Sequence, residues 1–151
     1  MDNSRMMGID HPFHCTTPVQ LRFSDLDTLG HVNNHVYFSL FDVAKSDYFS
    51  RAKGEKLDWT RVNLVMANVN CNFIKQVLYD EPVVVKTQVD HIGDKSFTLV
   101  HMLANGDTGE VKCVCRQVLV YVDPVQMRPV SLPQEWRDAF CRFEGRDLSM
   151  E

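Results

Sequence analysis

Between Val36 and Phe49 the chain carries Val36, Tyr37, Phe38, Leu40, Phe41, Val43, Ala44, Tyr48 and Phe49, apolar positions that cover most of a helical circumference. A helix of that kind is packed on nearly every side, so whatever else the chain forms has to wrap around it. Asn33 and Asn34 suit a helix start and Gly54 a stop. A helix from Asn34 to Arg51 would be about 27 Å long at 1.5 Å per residue, enough to cross a small domain.

The remaining sequence supplies strands for the wrapping. Val19, Leu21 and Phe23 alternate with Gln20 and Arg22, the period-2 mark of a half-buried strand. After the helix, AKGEKLDWTR reads as a connector and residues 62–77 restart β-type sequence. Pro82 precedes VVVKTQVD; Gly93 and Asp94 mark a turn into SFTLVHMLA; Asn105 and Gly106 mark another turn before the run 111–122. Pro133 suits the first turn of a short helix, QEWRDAFCRF. One strand, one long helix and four strands joined largely as hairpins predict an α+β domain, an antiparallel five- to six-stranded sheet curled around one central helix. Residues 1–17 read as an arm that is poorly ordered unless a partner holds it, 18–143 as the domain and 144–151 as a tail. An edge left open by such a sheet favours pairing with a second copy.

Length and charge exclude other classes. The 151 residues, 44% hydrophobic and 24% charged, match one globular domain. A formal charge of −4 leaves no basic footprint for nucleic acid. No apolar run is long enough to span a bilayer, and the polar start MDNSRMMGID lacks the order of a signal peptide, so a cytoplasmic location is expected. The five cysteines are odd in number and read as reduced, mostly buried thiols, with Cys113 and Cys115 on one side of a strand.

The stretch RFSDLDTLGHVNNHVY, Arg22 to Tyr37, resembles the signature of the hot-dog-fold acyl-CoA thioesterases of the 4-hydroxybenzoyl-CoA thioesterase type. NFIKQVLYDEP, Asn72 to Pro82, is similar to that family's strand and following turn, and IGDKSF, Ile92 to Phe97, to its next hairpin. The resemblance implies a single hot-dog domain, a homodimer or a dimer of dimers, and hydrolysis of an acyl-CoA thioester to free acid and CoA. It implies that Asp27 is the acid of the site, as base or nucleophile, with Asp25 structural. It also implies that Asn34, seven positions on, offers its backbone N–H to the thioester carbonyl. The open N–H groups and positive end of a long helix stabilise charge developing on that oxygen. His31 is a further candidate, orienting Asp27 or the substrate, with a hydrogen bond inside the loop as the structural alternative. The resemblance also implies that Lys95 and Arg128 lie near the nucleotide end of CoA, with Ser96 as a donor there, the alternative for all three being ordinary solvated surface. No cofactor is implied, because CoA arrives as part of the substrate.

Other chemistries fit these residues less well. The fifth and twelfth positions of an EF-hand loop would be Leu29 and Val36, which cannot ligate calcium. His31 and His35 are four apart, but Val32 stands where a zinc protease motif has Glu. The Asn that an acyl carrier protein thioesterase places two residues after its acid is here Leu29. A hydrolase acting on acyl carrier protein, and a non-catalytic acyl-CoA sensor on the same fold, are the alternatives to an acyl-CoA thioesterase.

Overall fold

The computed structural model describes residues 8–149. Residues 1–7 of the expected arm and 150–151 of the expected tail lie outside them. The elements are β1 (Cys15–Val19), α1 (Asn34–Lys53), β2 (Leu64–Phe73), β3 (Val83–Ile92), β4 (Ser96–Asn105), β5 (Val111–Tyr121) and α2 (Gln134–Glu144), with short 3-10 turns at Phe23–Asp25 and Trp59–Arg61. The five strands form one antiparallel sheet in the order β1-β3-β4-β5-β2. Two hairpins, β3–β4 and β4–β5, make its centre, and the strands that flank α1 in sequence close its two edges.

Helix α1 runs for 20 residues, about 30 Å, and ends on Gly54 in the left-handed conformation (φ 72°), which a residue without Cβ adopts freely. Its first half packs Val36, Tyr37, Leu40, Phe41 and Ala44 on Val83, Val85, Leu103 and Cys113. Its second half packs Tyr48, Phe49 and Ala52 on Phe97, Leu99 and Leu119, where Trp136 and Phe140 of α2 close the core. Between the two clusters lies the buried pair Thr87 Oγ1 and His101 Nδ1, 2.9 Å apart. The His101 ring stacks on Phe41, and burial pushes its pKa down to about 3, so it is a neutral part of the core. One side of α1 is not covered: Phe38 and Val43 remain exposed, in contrast to the expectation of contact nearly all round.

Other expectations need correction. The first strand is Cys15–Val19 and not a strand through Leu21 and Phe23, so the sheet begins before residue 18. Its Pro18 is tolerated because β1 is an edge strand with one unpaired side. Phe23 is exposed on its 3-10 turn. The described part of the arm is docked: Ile9 and Phe13 cover Val100, Met102 and Val114 on the sheet face opposite α1, and Gln88 Nε2 donates to the carbonyl of His11 at 3.0 Å. The tail is also held, with Leu148 in the core and its carbonyl accepting from Ile92 N–H at 3.0 Å. The cysteines are not all free thiols. Cys71 of β2 and Cys115 of β5 face each other in register, Cα–Cα 4.1 Å, and are joined in a disulfide. Cys15 and Cys113 are buried thiols, and burial pushes Cys113 up to about 12.

Candidate active site

The loop between β1 and α1 is built on Asp25. Its carboxylate, 3% exposed, accepts from the Arg22 backbone N–H at 2.7 Å and the Arg22 guanidinium at 3.0 Å, while its carbonyl accepts from Asn33 N–H at 2.9 Å. Burial alone would raise the Asp25 carboxyl, but the Arg22 hydrogen bonds outweigh it and hold the group below the usual carboxylate range. Asp25 therefore spans the loop and delivers the chain into α1, the structural part expected of it.

Asp27 sits on the exposed side of the same loop. Its Oδ1 accepts from Leu29 N–H at 2.9 Å and His31 N–H at 3.1 Å, and its own N–H donates to His31 carbonyl at 2.8 Å. These bonds close a tight turn in which Gly30 takes φ 77°. The turn fixes one carboxylate oxygen, and no described residue donates to Oδ2. His31 holds Asp27 through its backbone, with no side-chain hydrogen bond among the described residues.

The helix begins at Asn34, as its sequence predicts, but Asn33 does not cap it with its side chain. The Asn33 amide instead reaches the Asp25 carbonyl at 3.4 Å, and Asn33 carbonyl accepts from Val36 N–H at 3.0 Å. The N–H groups of Asn34 and His35 therefore have no intrahelical acceptor and lie at the positive end of a 20-residue helix. A cleft of about 120 Å³ adjoins Asn34, bounded by Tyr37, Phe73, Ile74, Lys75 and Gln76. A larger one of about 940 Å³ lies along α2, lined by residues such as Arg137 and Arg142, and includes no part of the Asp27 loop. The Asp27 loop also exposes the apolar side chains Phe23 and Leu29, and the β2–β3 connection exposes Leu78 and Tyr79, with Phe23 meeting Tyr79 edge to face.

That connection holds the site loop. Val32 N–H donates to Val77 carbonyl at 3.1 Å, and His31 forms a β-bridge with Leu78. Beneath it lies an ionic cluster that the sequence reading missed: Lys112 with Glu81 at 2.8 Å and Glu110 at 2.7 Å, and Lys75 with Glu110 at 2.7 Å. The available signal was a lysine inside the apolar run that begins β5, since a buried ammonium requires carboxylates nearby.

Lys95, Ser96 and Arg128 lie elsewhere. Lys95 and Ser96 form the β3–β4 turn, where Lys95 carbonyl accepts from Tyr121 N–H; Arg128 follows in the segment that bridges back to Val122. Ser96 and Leu103 lie at opposite ends of β4, roughly 23 Å apart at the rise of a strand, and the first turn of α1 packs at the Leu103 end. Within one chain, then, the expected CoA-binding residues and Asp27 occupy opposite ends of the sheet. Among the described residues no group of three His, Cys, Asp or Glu side chains is placed to hold a metal ion, and no helix is long and apolar enough to cross a membrane.

Comparison with known proteins fits this architecture. Residues 21–140 match the family described as the thioesterase-like superfamily. A thioesterase from Thermus thermophilus, solved in complex with coenzyme A and zinc, is 31% identical, with 89% of this chain and 96% of that chain covered and a TM-score of 0.79. The uncharacterised protein YsmA of Bacillus subtilis is 29% identical over 80% of each chain. The 1,4-dihydroxy-2-naphthoyl-CoA thioesterase of Synechocystis, at 14% identity, shares the fold with a TM-score of 0.74 over 84% of this chain and 95% of that one. With the signature loop at the head of a central helix and a curled five-stranded sheet beneath it, this chain belongs to the thioesterase-like superfamily and has the hot-dog fold.

Proposed function

We propose that this protein hydrolyses acyl-CoA thioesters to free acid and CoA, with Asp27 as base or nucleophile and the α1 N-terminus polarising the carbonyl. The observation that carries the reading is the junction of loop and helix. A carboxylate with one oxygen fixed and the other open stands ahead of a helix start whose Asn34 N–H has no intrahelical acceptor. In the general-base route Asp27 takes a proton from water, the hydroxide adds to the thioester carbon, and the oxyanion is stabilised by the Asn34 N–H. Collapse then breaks the C–S bond, expelling the CoA thiolate, which takes up the proton. In the nucleophilic route an Asp27 oxygen attacks the same carbon, the C–S bond breaks and CoA leaves as thiolate, and water then cleaves the mixed anhydride, releasing the acid and the Asp27 carboxylate while the thiolate takes up a proton. The coenzyme A bound by the Thermus thermophilus relative supports CoA as the carrier.

We further infer a homodimer at least. Edge strand β2 exposes Val65, Met66, Val69 and Phe73, and the same chain leaves Phe38 and Val43 of α1 uncovered. Antiparallel pairing of β2 with a second β2 would bring the Lys95–Arg128 end of one protomer beside the Asp27 end of its partner, which no single chain can do. Steady-state release of free thiol from a panel of acyl-CoAs tests the activity. The expected result is turnover in the wild type that Asp27→Asn abolishes or nearly so. Tight acyl-CoA binding without turnover in the wild type would overturn it in favour of a sensor.

A further inference from the structure

We propose that Lys112 is a positioning residue, a buried clamp that holds the 76–81 turn and, through it, the Asp27 loop and the start of α1 in working geometry. The proposal rests on the thioesterase reading of that site and adds a residue remote from the reacting atoms. Lys112 is only 2% exposed, and its ammonium has three donors. They go to Gln76 carbonyl at 3.3 Å, Glu81 Oε1 at 2.8 Å and Glu110 Oε1 at 2.7 Å. Its own carbonyl accepts from Ile74 N–H at 2.8 Å and Lys75 N–H at 3.0 Å. One residue thus fixes the connection after β2 at residues 74, 75, 76 and 81.

The hold passes on in defined steps. Glu81, kept in place by Lys112 and by Asn105 Nδ2 at 3.2 Å, accepts from Leu78 N–H through Oε2 at 2.8 Å. Leu78 bridges to His31, and Val77 carbonyl takes Val32 N–H at 3.1 Å. His31 in turn closes the turn that sets Asp27, and two residues beyond Val32 the helix begins. The segment 74–81 has no strand pairing of its own beyond the His31–Leu78 bridge; besides Val77, whose side chain is buried in the core, it is held by the hydrogen bonds of Lys112 and Glu81. A buried ion pair of this kind gives little net stability compared with apolar packing. Its distinctive contribution is directional: ammonium and carboxylate fix the turn by hydrogen bonds at set distances, which methylene packing would leave free to slide.

The test compares wild type with Lys112→Met, Glu81→Gln and the double variant, and uses Ile9→Ala on the opposite face of the sheet as a destabilised control. Hydrogen exchange is read at individual amides alongside kcat and KM on the best acyl-CoA. The expected result is exchange at Val32 and Leu78 faster by ~10-fold or more in Lys112→Met, with the amides of Phe41 and Ala44 at most slightly affected. On the same protein kcat should fall ~10- to 100-fold with KM changed less than about threefold, since small misplacement of reacting groups costs rate. The double variant should be no worse than the more impaired single one, because both break the same chain. Should Lys112→Met fail to fold, Glu81→Gln, which keeps shape and removes the charge, carries both readouts. Unchanged kcat per folded molecule, or exchange at Val32 and Leu78 that rises only in step with the whole protein as in Ile9→Ala, would overturn the proposal. If the wild type turns over no acyl-CoA, the thioesterase reading fails, and the exchange at Val32 and Leu78 still decides whether Lys112 holds the loop.

Discussion

Asp27 and His31 are tied twice, main chain to main chain from Asp27 N–H to His31 carbonyl at 2.8 Å and main chain to side chain from His31 N–H to Asp27 Oδ1 at 3.1 Å. The turn thus depends on one oxygen of the carboxylate, and the chemistry proposed for the site on the other. Asp27→Asn keeps an acceptor at Oδ1 and removes both base and nucleophile. Its kcat should fall on the order of 10² to 10⁴ while KM and melting temperature change little. Near wild-type turnover on the best substrate would remove Asp27 from the mechanism.

Asp25 should answer through stability. Its carboxyl is held below its ordinary value, so its contribution is present above an unfolded pKa of about 3.9 and is lost as pH falls through the lower folded value. Because Arg22 is largely exposed, we expect Asp25→Asn to cost about 1–2 kcal/mol at neutral pH in urea unfolding. The gap from wild type should narrow below about pH 3.9. A gap that stays constant down to about pH 2, the lower end of carboxylate titration, would contradict the Arg22 pairing.

Glu144 has the opposite sign. It is buried at the end of α2, accepts from Tyr48 O–H at 2.5 Å and from Val89 N–H at 3.3 Å, and burial raises its pKa. Its contribution is complete below an unfolded value of about 4.3 and is lost as pH rises through the raised folded value. Glu144→Gln should therefore flatten the decline of stability between weakly acidic and neutral pH. Tyr48→Phe, which removes the hydroxyl donor and leaves the carboxyl only the longer Val89 N–H bond, should cost about 1–3 kcal/mol. Thermal melts across that range check both, and an unchanged pH slope in Glu144→Gln would refute the assignment.

The docked arm gives a packing test. Ile9 is buried over Val100, Met102 and Val114, so Ile9→Ala should cost about 2–4 kcal/mol, at the lower end if the arm settles into the gap. A melting temperature equal to wild type would show that the arm adds nothing to the fold.

Sharing of the site between protomers can be tested by mixing. Asp27→Asn and Lys95→Ala/Arg128→Ala damage opposite ends of one chain, and a mixed dimer would hold one undamaged site. After unfolding and refolding together, half the dimers are mixed, and kcat/KM should recover to roughly a quarter of wild type. Recovery no greater than the average of the two parents would argue against sites built from both chains.

Much of this fold is written in short-range sequence. The helix from Asn34 to Gly54, the turn at Gly93 and Asp94, the turn at Asn105 and Gly106, and the start of α2 after Pro133 stand where their residues predict. Each follows from backbone preference and periodicity within a few neighbours. The loop from Asp25 to Asn34 was legible for the same reason, since its acids, glycine and helix start act on groups close in sequence. Tertiary structure decided the rest, because the deciding partner is distant in the chain. Cys15–Val19 is a strand because β3 is there to pair with it, and Phe23 is exposed although its spacing from Val19 and Leu21 suits a strand. Cys71 meets Cys115 only through the β2–β5 register. Lys112 reaches Gln76 and Glu81 only once β5 lies beside the end of β2, and Lys95 is parted from Asp27 by the length of the strands between them. Local preference sets which segments are helix, turn or strand; burial and hydrogen bonding between remote segments set which side chains meet.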